Sequence, residues 1–334
     1  MGKYKKSSRL MLLPQSKGSA FVKLEPSMTT WRGVVAKLWP WLVALAILAF
    51  LLVRIPRQAL LKALEAGPWF WLAGYTSLQT LLVLMLDAYA TSLSLAITGF
   101  KQRFSQIFLA RGSTYLLGIL NYALGQGAMG VYLRRSGVTT SRAAGSMLFL
   151  MLLNFLVLLL IASIGFLAGG FPKTAHFDLS PLFLALWVGI FVYLVIIRVQ
   201  PYFLLKYELL APLWQAGLKG HLMAAAVRLP HMLFLVLAYW GALRLWGIPV
   251  PLAQGMAMIT VVLFIFAVPI TPLGLGTTQA ALVLLFSPFV PLPAAELRAA
   301  TVLAFGLIYY FLGIIAQALI GFWCFQRYRT LNND

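Results

Sequence analysis

Long apolar runs recur along this chain, and they constrain its fold more than any other feature of the sequence. A helix needs about 20 apolar residues to cross the hydrocarbon core of a bilayer. Six runs meet that requirement, so each one predicts a membrane-crossing helix. They cover residues 37–55, 69–97, 143–168, 181–198, 222–246 and 299–323.

The composition agrees with lipid as the solvent around these runs. Of the 334 residues, 62% are hydrophobic and only 10% are charged, whereas soluble domains carry about 25% charged residues. A soluble fold of this length has too little interior to hide so much apolar surface. The chain is therefore predicted to be an all-α polytopic membrane protein with about six full transmembrane helices.

Two further apolar stretches, 104–133 and 254–295, are interrupted in the middle by glycine, proline and small polar residues. Broken backbone at membrane depth is tolerated only where protein or a wet cavity satisfies its polar groups. We therefore predict two re-entrant helical hairpins, each of which enters and leaves the membrane on one side. They lie in opposite halves and would open to opposite sides, which indicates an inverted repeat of the kind found in transporters.

The positive charge predicts the orientation of the chain. The 26 Lys and Arg residues outnumber seven acids, and they fall between the apolar runs rather than along one face. This pattern favours a topology signal and anionic lipid headgroups over nucleic acid. With the N-terminus inside, the predicted topology places 20 basic residues inside, Arg111 and Arg228 among them, and six outside, as the positive-inside rule requires. Arg134, Arg135 and Arg142 stay inside only if the first hairpin returns to the side it entered.

The same topology predicts the domain organisation. Residues 1–36 form a basic cytoplasmic arm, 37–323 a single transmembrane domain, and 324–334 a cytoplasmic tail. The expected location is a bacterial cytoplasmic membrane, with both termini in the cytoplasm.

The sequence offers few residues for catalysis or metal binding. The three histidines lack metal-ligand spacing, and neither a paired-carboxylate motif nor a nucleotide-binding loop is present. The single cysteine, Cys324, permits no intramolecular disulfide and no zinc cluster. We therefore expect no cofactor, no metal site and no enzymatic activity.

Asp87 is the one acid deep within an apolar run. A charge inside the membrane is costly and is a functional candidate by default. Two interpretations stay open: an ion pair inside the helix bundle, with Arg111 or Arg134 as the partner, or an interfacial residue near the cytoplasmic end of its helix. A proton relay would be a special case of the first.

Polar and small residues of the hairpins are the candidate substrate-binding residues. Arginine suits a phosphate because its planar guanidinium donates several hydrogen bonds, although Arg134 and Arg135 could equally serve topology alone. In the second hairpin, Thr277 or Thr278 could cap the following helix, whose N-terminus would attract an anion. The full set is Arg111, Asn121, Gln126, Gly127, Gly130, Arg134 and Arg135 in the first hairpin, and Pro269, Thr271, Pro272, Gly274, Gly276, Thr277 and Gln279 in the second.

The hairpin sequences resemble a known family. The stretch Pro269-Ile-Thr-Pro-Leu-Gly-Leu-Gly-Thr-Thr-Gln279 is similar to the signature P-x-T-P-G-G-L-G-x-x-E of the lysylphosphatidylglycerol synthase transmembrane domain, also called the flippase-like domain. Residues 121–134, with the loop 137–143, resemble that family's looser first-half segment N-x-L-x-P-G-x-x-G-E-x-x-R. The resemblance covers about residues 37–323.

The resemblance implies a lipid translocase with inverted repeats and re-entrant helices, which moves aminoacylated phosphatidylglycerol or other polar lipids between leaflets. Among the departures of this sequence from the pattern, the family's proline is Gln126, its two acids are Val131 and Gln279, and Phe305-Gly306 stands near the last helix where the family often has an arginine. Loss of both acids disfavours a cationic lysyl headgroup and favours a neutral or anionic phospholipid or a glycolipid. No synthase domain follows the hairpins, so a separate lipid-modifying enzyme is an expected partner, and a homo-oligomer is possible.

Two other functions are kept as alternatives. One is a membrane-embedded transferase acting on a lipid carrier, with Asp87 and His231 as the deep candidates for acid–base chemistry. The other is an accessory membrane subunit that transports nothing itself.

Overall fold

A computed structural model describes residues 31–170, 180–267, 271 and 274–331, with side chains from residue 39 onward. The chain divides into two units, residues 1–38 and 39–334, and the packing described below is that of the second unit. Within the described residues the regular structure is entirely helical, and it comprises twelve α-helices. They are α1 (Trp31–Arg54), α2 (Arg57–Glu65), α3 (Trp69–Ile97), α4 (Phe104–Gly118), α5 (Tyr122–Arg135), α6 (Thr140–Gly169), α7 (Ser180–Val199), α8 (Tyr202–Leu205), α9 (Ala211–Leu245), α10 (Leu252–Ala267), α11 (Thr277–Phe286) and α12 (Ala295–Leu331).

The long helices confirm the polytopic prediction. Five helices are long and apolar enough to cross a membrane: α3, α6, α7, α9 with the turn before it, and α12. A sixth span would combine Trp39–Arg54 with α2, at an angle of 95° between the two parts. The proline at position 56 stands in the break between them, where its missing N–H ends the regular hydrogen bonding of α1. All six spans lie where the apolar runs predicted them.

Contacts between helix ends define two ends of the molecule. The Thr139 hydroxyl donates to Glu208 Oε1 at 2.6 Å, and the rings of Tyr132 and Tyr328 lie 5.8 Å apart. These contacts bring together the starts of α6 and α9 with the ends of α5 and α12, at what we call the basic end. At the opposite end, α2 packs against the start of α12.

Four shorter helices form the two predicted hairpins. Helix α4 has 15 residues and α5 has 14, so each is about 21–23 Å long and too short to cross a core of about 30 Å. They enter from the basic end and return to it, whereas α10 and α11 enter from the opposite end and return there. The tips of the hairpins meet, because Gly118, Asn121 and Tyr122 line one small cavity together with Phe266, Ala267, Thr271 and Gly274.

The element order repeats with inverted direction. In each half, a span and a short helix at one end precede a second span, a hairpin and a third span. Helices α1–α6 form the first set and α7–α12 the second. The first hairpin enters from the basic end and the second from the opposite end, so the architecture has the inverted arrangement that the sequence predicted.

Glycine allows the close packing of α6 against the second hairpin. A Cβ atom at Gly165 would lie 2.5 Å from the carbonyl oxygen of Ala253 and 2.7 Å from the backbone nitrogen of Ala257. Both neighbours are backbone atoms of α10, which cannot rotate away as a flexible side chain can.

Replacing this glycine should therefore loosen the hairpin. We expect Gly165→Ala to lower the free energy of unfolding in detergent by about 1–3 kcal/mol, the usual cost of overpacking. Thermal unfolding followed by tryptophan fluorescence would measure the change. The matched control is Gly74→Ala on α3, where a Cβ meets nothing within 4 Å; equal loss in both variants would contradict the assigned role of Gly165.

Candidate functional site

A buried carboxylate at the centre of the bundle organises the site. Asp87, on α3, is 5% exposed. Arg111 on α4 donates from Nε to Asp87 Oδ2 at 2.7 Å, and Arg228 on α9 donates from Nη1 to Oδ1 at 3.4 Å. The structure thus selects an ion pair inside the bundle, with Arg111 as its closest partner, rather than an interfacial Asp87.

Neutral polar side chains complete the hydrogen bonding of this ion cluster. Arg228 donates from Nη1 to Asn154 Oδ1 at 2.7 Å and from Nη2 to Thr91 Oγ1 at 3.0 Å. The Thr91 hydroxyl in turn donates to Asp87 Oδ1 at 3.3 Å, and Arg111 Nη1 donates to Gln126 Oε1 at 3.3 Å. The cluster therefore joins five helices, α3, α4, α5, α6 and α9, including both arms of the first hairpin.

The cluster carries more positive than negative charge. It contains two guanidinium groups and one carboxylate. Among the described residues, Asp87 is also the only acid in the lining of the cavity beside the cluster, which is described next. His231 Nδ1 lies 3.9 Å from Asp87 Oδ1, and it would add a further positive charge if protonated. An uncompensated positive charge in a low-dielectric interior is costly, so an anion that enters here would be stabilised.

Part of the cluster lines a half-open cavity of about 280 Å³, which we call the charged chamber. Its polar wall holds Asp87, Arg111, Gln126, Asn154 and His231. A second cavity of about 170 Å³, the neutral chamber, adjoins it. Both chambers are lined by Gln79, Thr80, Gly118, Leu235, Leu263, Phe266 and Gln317.

A stripe of polar residues along α3 connects the two chambers with the basic end. Its members are separated by one, three, four or seven residues, spacings that keep them on one side of the helix, and all are buried. Eighteen residues of helix separate the first from the last, a rise of about 27 Å and close to the thickness of the bilayer core. The stripe comprises Thr76, Gln79, Thr80, Asp87, Thr91 and Ser94.

Residues of the first hairpin divide between the charged chamber and the basic end. Arg111 and Gln126 line the charged chamber, whereas Asn121 lies at the tip and caps α5 by accepting a hydrogen bond from the Ala123 N–H at 2.7 Å. Of the remaining candidates, Gly127 is exposed, Gly130 is partly buried, and Arg134 and Arg135 are exposed at the basic end. The structure therefore does not bring Arg134 and Arg135 to the chamber with Arg111.

Arg135 instead lines a separate surface hollow of about 550 Å³ at the basic end. Arg103 and Tyr328 belong to the same hollow. Two exposed arginines on one hollow suit contact with an anionic group.

Residues of the second hairpin shape its turn. Thr271 and Gly274 line the cavity between the tips, and the Thr277 hydroxyl lies 3.1 Å from that of Thr271 and donates to the Gly274 carbonyl. The candidates Pro269 and Pro272 lie outside the described residues.

The predicted threonine cap of α11 was wrong. The capping position belongs to Gly276, whose φ of +80° is a left-handed conformation that glycine adopts without strain. Gln279, fully buried, accepts the Gly276 N–H at 2.8 Å through Oε1. Gln279 therefore holds the turn of the hairpin, and its Nε2 has no partner among the described residues.

Sequence reasoning missed Arg228 and Asn154, and it counted Arg111 and Arg228 as cytoplasmic basic residues. The structure corrects that count, because the Arg228 side chain is fully buried and bonded to α3 and α6. The available signal was position: Arg228 stands six residues inside the predicted crossing 222–246, and Asn154 stands mid-way along 143–168. Intramembrane charges with a polar partner are the expected components of a site.

Comparison with known proteins gives one match. The family model described as "Lysylphosphatidylglycerol synthase TM region" matches residues 38–316. That range runs from the first crossing into α12 and includes both hairpins and the ion cluster. No curated protein and no solved structure matches the chain.

Proposed function

The chain belongs to the lysylphosphatidylglycerol synthase TM-region family, a membrane domain of lipid-related proteins, and from that premise we propose that it is a lipid translocase. It would move a polar lipid headgroup between the leaflets of the bilayer without making or breaking a bond in the lipid. The observation that carries the proposal is a net-positive ion cluster in a cavity between two hairpins that enter from opposite ends.

The barrier to lipid movement is desolvation of the headgroup. Moving an unpaired polar group from water into an apolar medium costs several kcal/mol of free energy, and moving a charged group costs far more. The charged chamber replaces that lost water with fixed donors and acceptors, while the acyl chains stay in the surrounding lipid. The Arg111 guanidinium lines the chamber, so it is the group we assign to the headgroup phosphate, and charge-assisted hydrogen bonds of this kind are the strong ones.

Charge supports an orientation with the basic end in the cytoplasm. Ten described basic residues lie at that end and five at the opposite end, a bias in the direction of the positive-inside rule. In a bacterial cytoplasmic membrane, Arg134 and Arg135 would then meet the anionic inner leaflet and attract lipid headgroups before they reach the chamber. The ten are Lys101, Arg103, Arg134, Arg135, Arg142, Arg198, Lys206, Lys219, Arg327 and Arg329; the five are Arg54, Arg57, Lys62, Arg244 and Arg298.

Reconstitution tests the proposal directly. Purified protein in vesicles should move acyl-labelled phosphatidylglycerol between leaflets faster than empty vesicles do. We expect Arg111→Gln to slow that movement by about tenfold or more, because a charge-assisted hydrogen bond contributes about 1.5–3 kcal/mol. Asp87 keeps Arg228 as a partner in this variant, so the protein should stay folded.

The matched control is Arg329→Gln, which removes the same charge from an exposed position at the basic end and should transport at the wild-type rate. Folded wild-type protein that moves no phospholipid would overturn the proposed function. Equal rates in wild-type and Arg111→Gln protein would remove Arg111 from the mechanism.

A further inference from the structure

The neutral chamber holds polar groups that the ion cluster does not use. Thr76 and Thr278 are 3% and 6% exposed and line this chamber, and neither hydroxyl has a hydrogen-bond partner among the described residues. Buried polar groups are normally paired. A threonine needs only a rotation of χ1 between staggered positions to redirect its hydroxyl, so both residues can serve a guest in the chamber.

Other polar groups of the chamber are uncharged as well. The Gln79 amide and the Tyr309 hydroxyl are hydrogen-bonded to each other. Gln79 Nε2 lies 2.6 Å from the hydroxyl oxygen, and Gln79 Oε1 lies 2.9 Å from it. Gln317 lines both chambers and lies beside Gly313. Hydroxyls and amides each donate and accept hydrogen bonds, which is the combination that a hydroxyl-rich, uncharged guest requires.

A cationic guest is poorly served by the same chamber. Its lining contains no charged side chain, and Asp87, the only acid in the lining of the adjoining charged chamber, is already bonded to two arginines. An ammonium group that entered would lose its hydration without gaining a carboxylate, and burial of an unpaired charge is costly. It would also be repelled by the surplus positive charge of the cluster.

The two chambers together match one class of ligand. Seven shared residues place the two chambers side by side, with an anion-attracting wall in one and neutral polar groups in the other. We infer that the substrate is an anionic phospholipid whose headgroup beyond the phosphate is an uncharged polyol, such as the glycerol of phosphatidylglycerol. The phosphate contacts the charged chamber and the polyol occupies the neutral chamber; this inference rests on the proposed translocase function.

A panel of lipids in the same vesicles tests the substrate class. Phosphatidylglycerol should move at least tenfold faster than lysyl-phosphatidylglycerol, which differs only by the added cationic group. Phosphatidic acid, which has the phosphate but no polyol, should move more slowly than phosphatidylglycerol. Movement of all three at one rate, or fastest movement of the lysyl lipid, would overturn the inference and leave the translocase proposal intact.

Variants of the neutral chamber separate polyol contact from general damage. Thr76→Val and Thr278→Val keep the shape of each side chain and remove the hydroxyl. In the double variant, the ratio of the phosphatidylglycerol transport rate to the phosphatidic acid transport rate should fall at least fivefold. An unchanged ratio would show that the chamber does not contact the polyol.

Binding provides a measurement that does not depend on transport. Short-chain phosphatidylglycerol should raise the thermal unfolding temperature of the detergent-solubilised protein, and the short-chain lysyl lipid at the same concentration should raise it less. Soluble glycerol phosphate distinguishes a lipid from a free phosphate ester: equal stabilisation by the soluble compound would overturn the assignment to a lipid. If no lipid moves and no lipid stabilises the protein, the inference falls together with the proposed function.

Discussion

Phosphatidylglycerol movement should drop to the rate of empty vesicles when Gly118 is replaced by Phe, while the protein keeps its stability. Gly118 is the last residue of α4 and lines three cavities at once: the charged chamber, the neutral chamber and the space between the hairpin tips. A Cβ atom there meets nothing within 4 Å. A large ring would therefore occupy space that the headgroup needs without displacing packed atoms.

The size of the side chain is the variable in this experiment. Gly118→Ala adds one methyl group and should keep most of the transport, so the rate should fall stepwise from Gly to Ala to Phe. Thermal unfolding of each variant in detergent would show that the fold is kept. Full transport by folded Gly118→Phe protein would place the lipid route elsewhere in the bundle.

Removal of the central carboxylate should have the largest effect on stability. Asp87→Asn leaves Arg111 and Arg228 side by side with no acid between them, and loss of one partner from a buried ion pair costs about 3–5 kcal/mol. We expect a fall of that size in the free energy of unfolding, seen as a lower unfolding temperature and lower yield. Glu296→Gln removes a negative charge from an exposed position and should cost less than about 0.5 kcal/mol.

A compensating substitution tests whether charge is the cause. The double variant Asp87→Asn with Arg228→Gln restores the net charge of the cluster, and glutamine can still bond to Asn154 and Thr91. We expect the double variant to recover at least half of the lost stability. If it is no more stable than Asp87→Asn, the role of Asp87 is one of shape and hydrogen bonding rather than charge balance.

The fold was predictable from the sequence because the bilayer imposes a simple rule of length and composition. Apolar runs of sufficient length became spans, and the runs broken by glycine and proline became hairpins. The basic residues supported the first hairpin as well, because Arg134, Arg135 and Arg142 stay inside only if that hairpin returns to the side it entered. The second hairpin was predicted from its length and its helix breakers alone.

The site was only partly predictable because it depends on distances between helices. An ion pair of Asp87 with Arg111 or Arg134 was one of two interpretations that the sequence left open, and Arg228 was read as a topology signal from its type alone. Its partners Asn154 and Thr91 are 74 and 137 residues away in sequence, so no local pattern connects them. The polar face of α3 was visible at helical spacing, yet its meaning required the cavities beside it. The roles of Gly276 and Gln279 required a backbone conformation that spacing does not reveal.

The surplus positive charge beside Asp87 also bears on which ions could share a lipid route. Sodium ions and protons that follow the same chambers would have to pass a buried positive charge, and positive charges placed in a narrow path exclude cations in other membrane proteins. In a low-dielectric interior that repulsion is far stronger than in water. A route wide enough for a lipid headgroup would thus stay closed to the cations whose leakage dissipates the membrane potential.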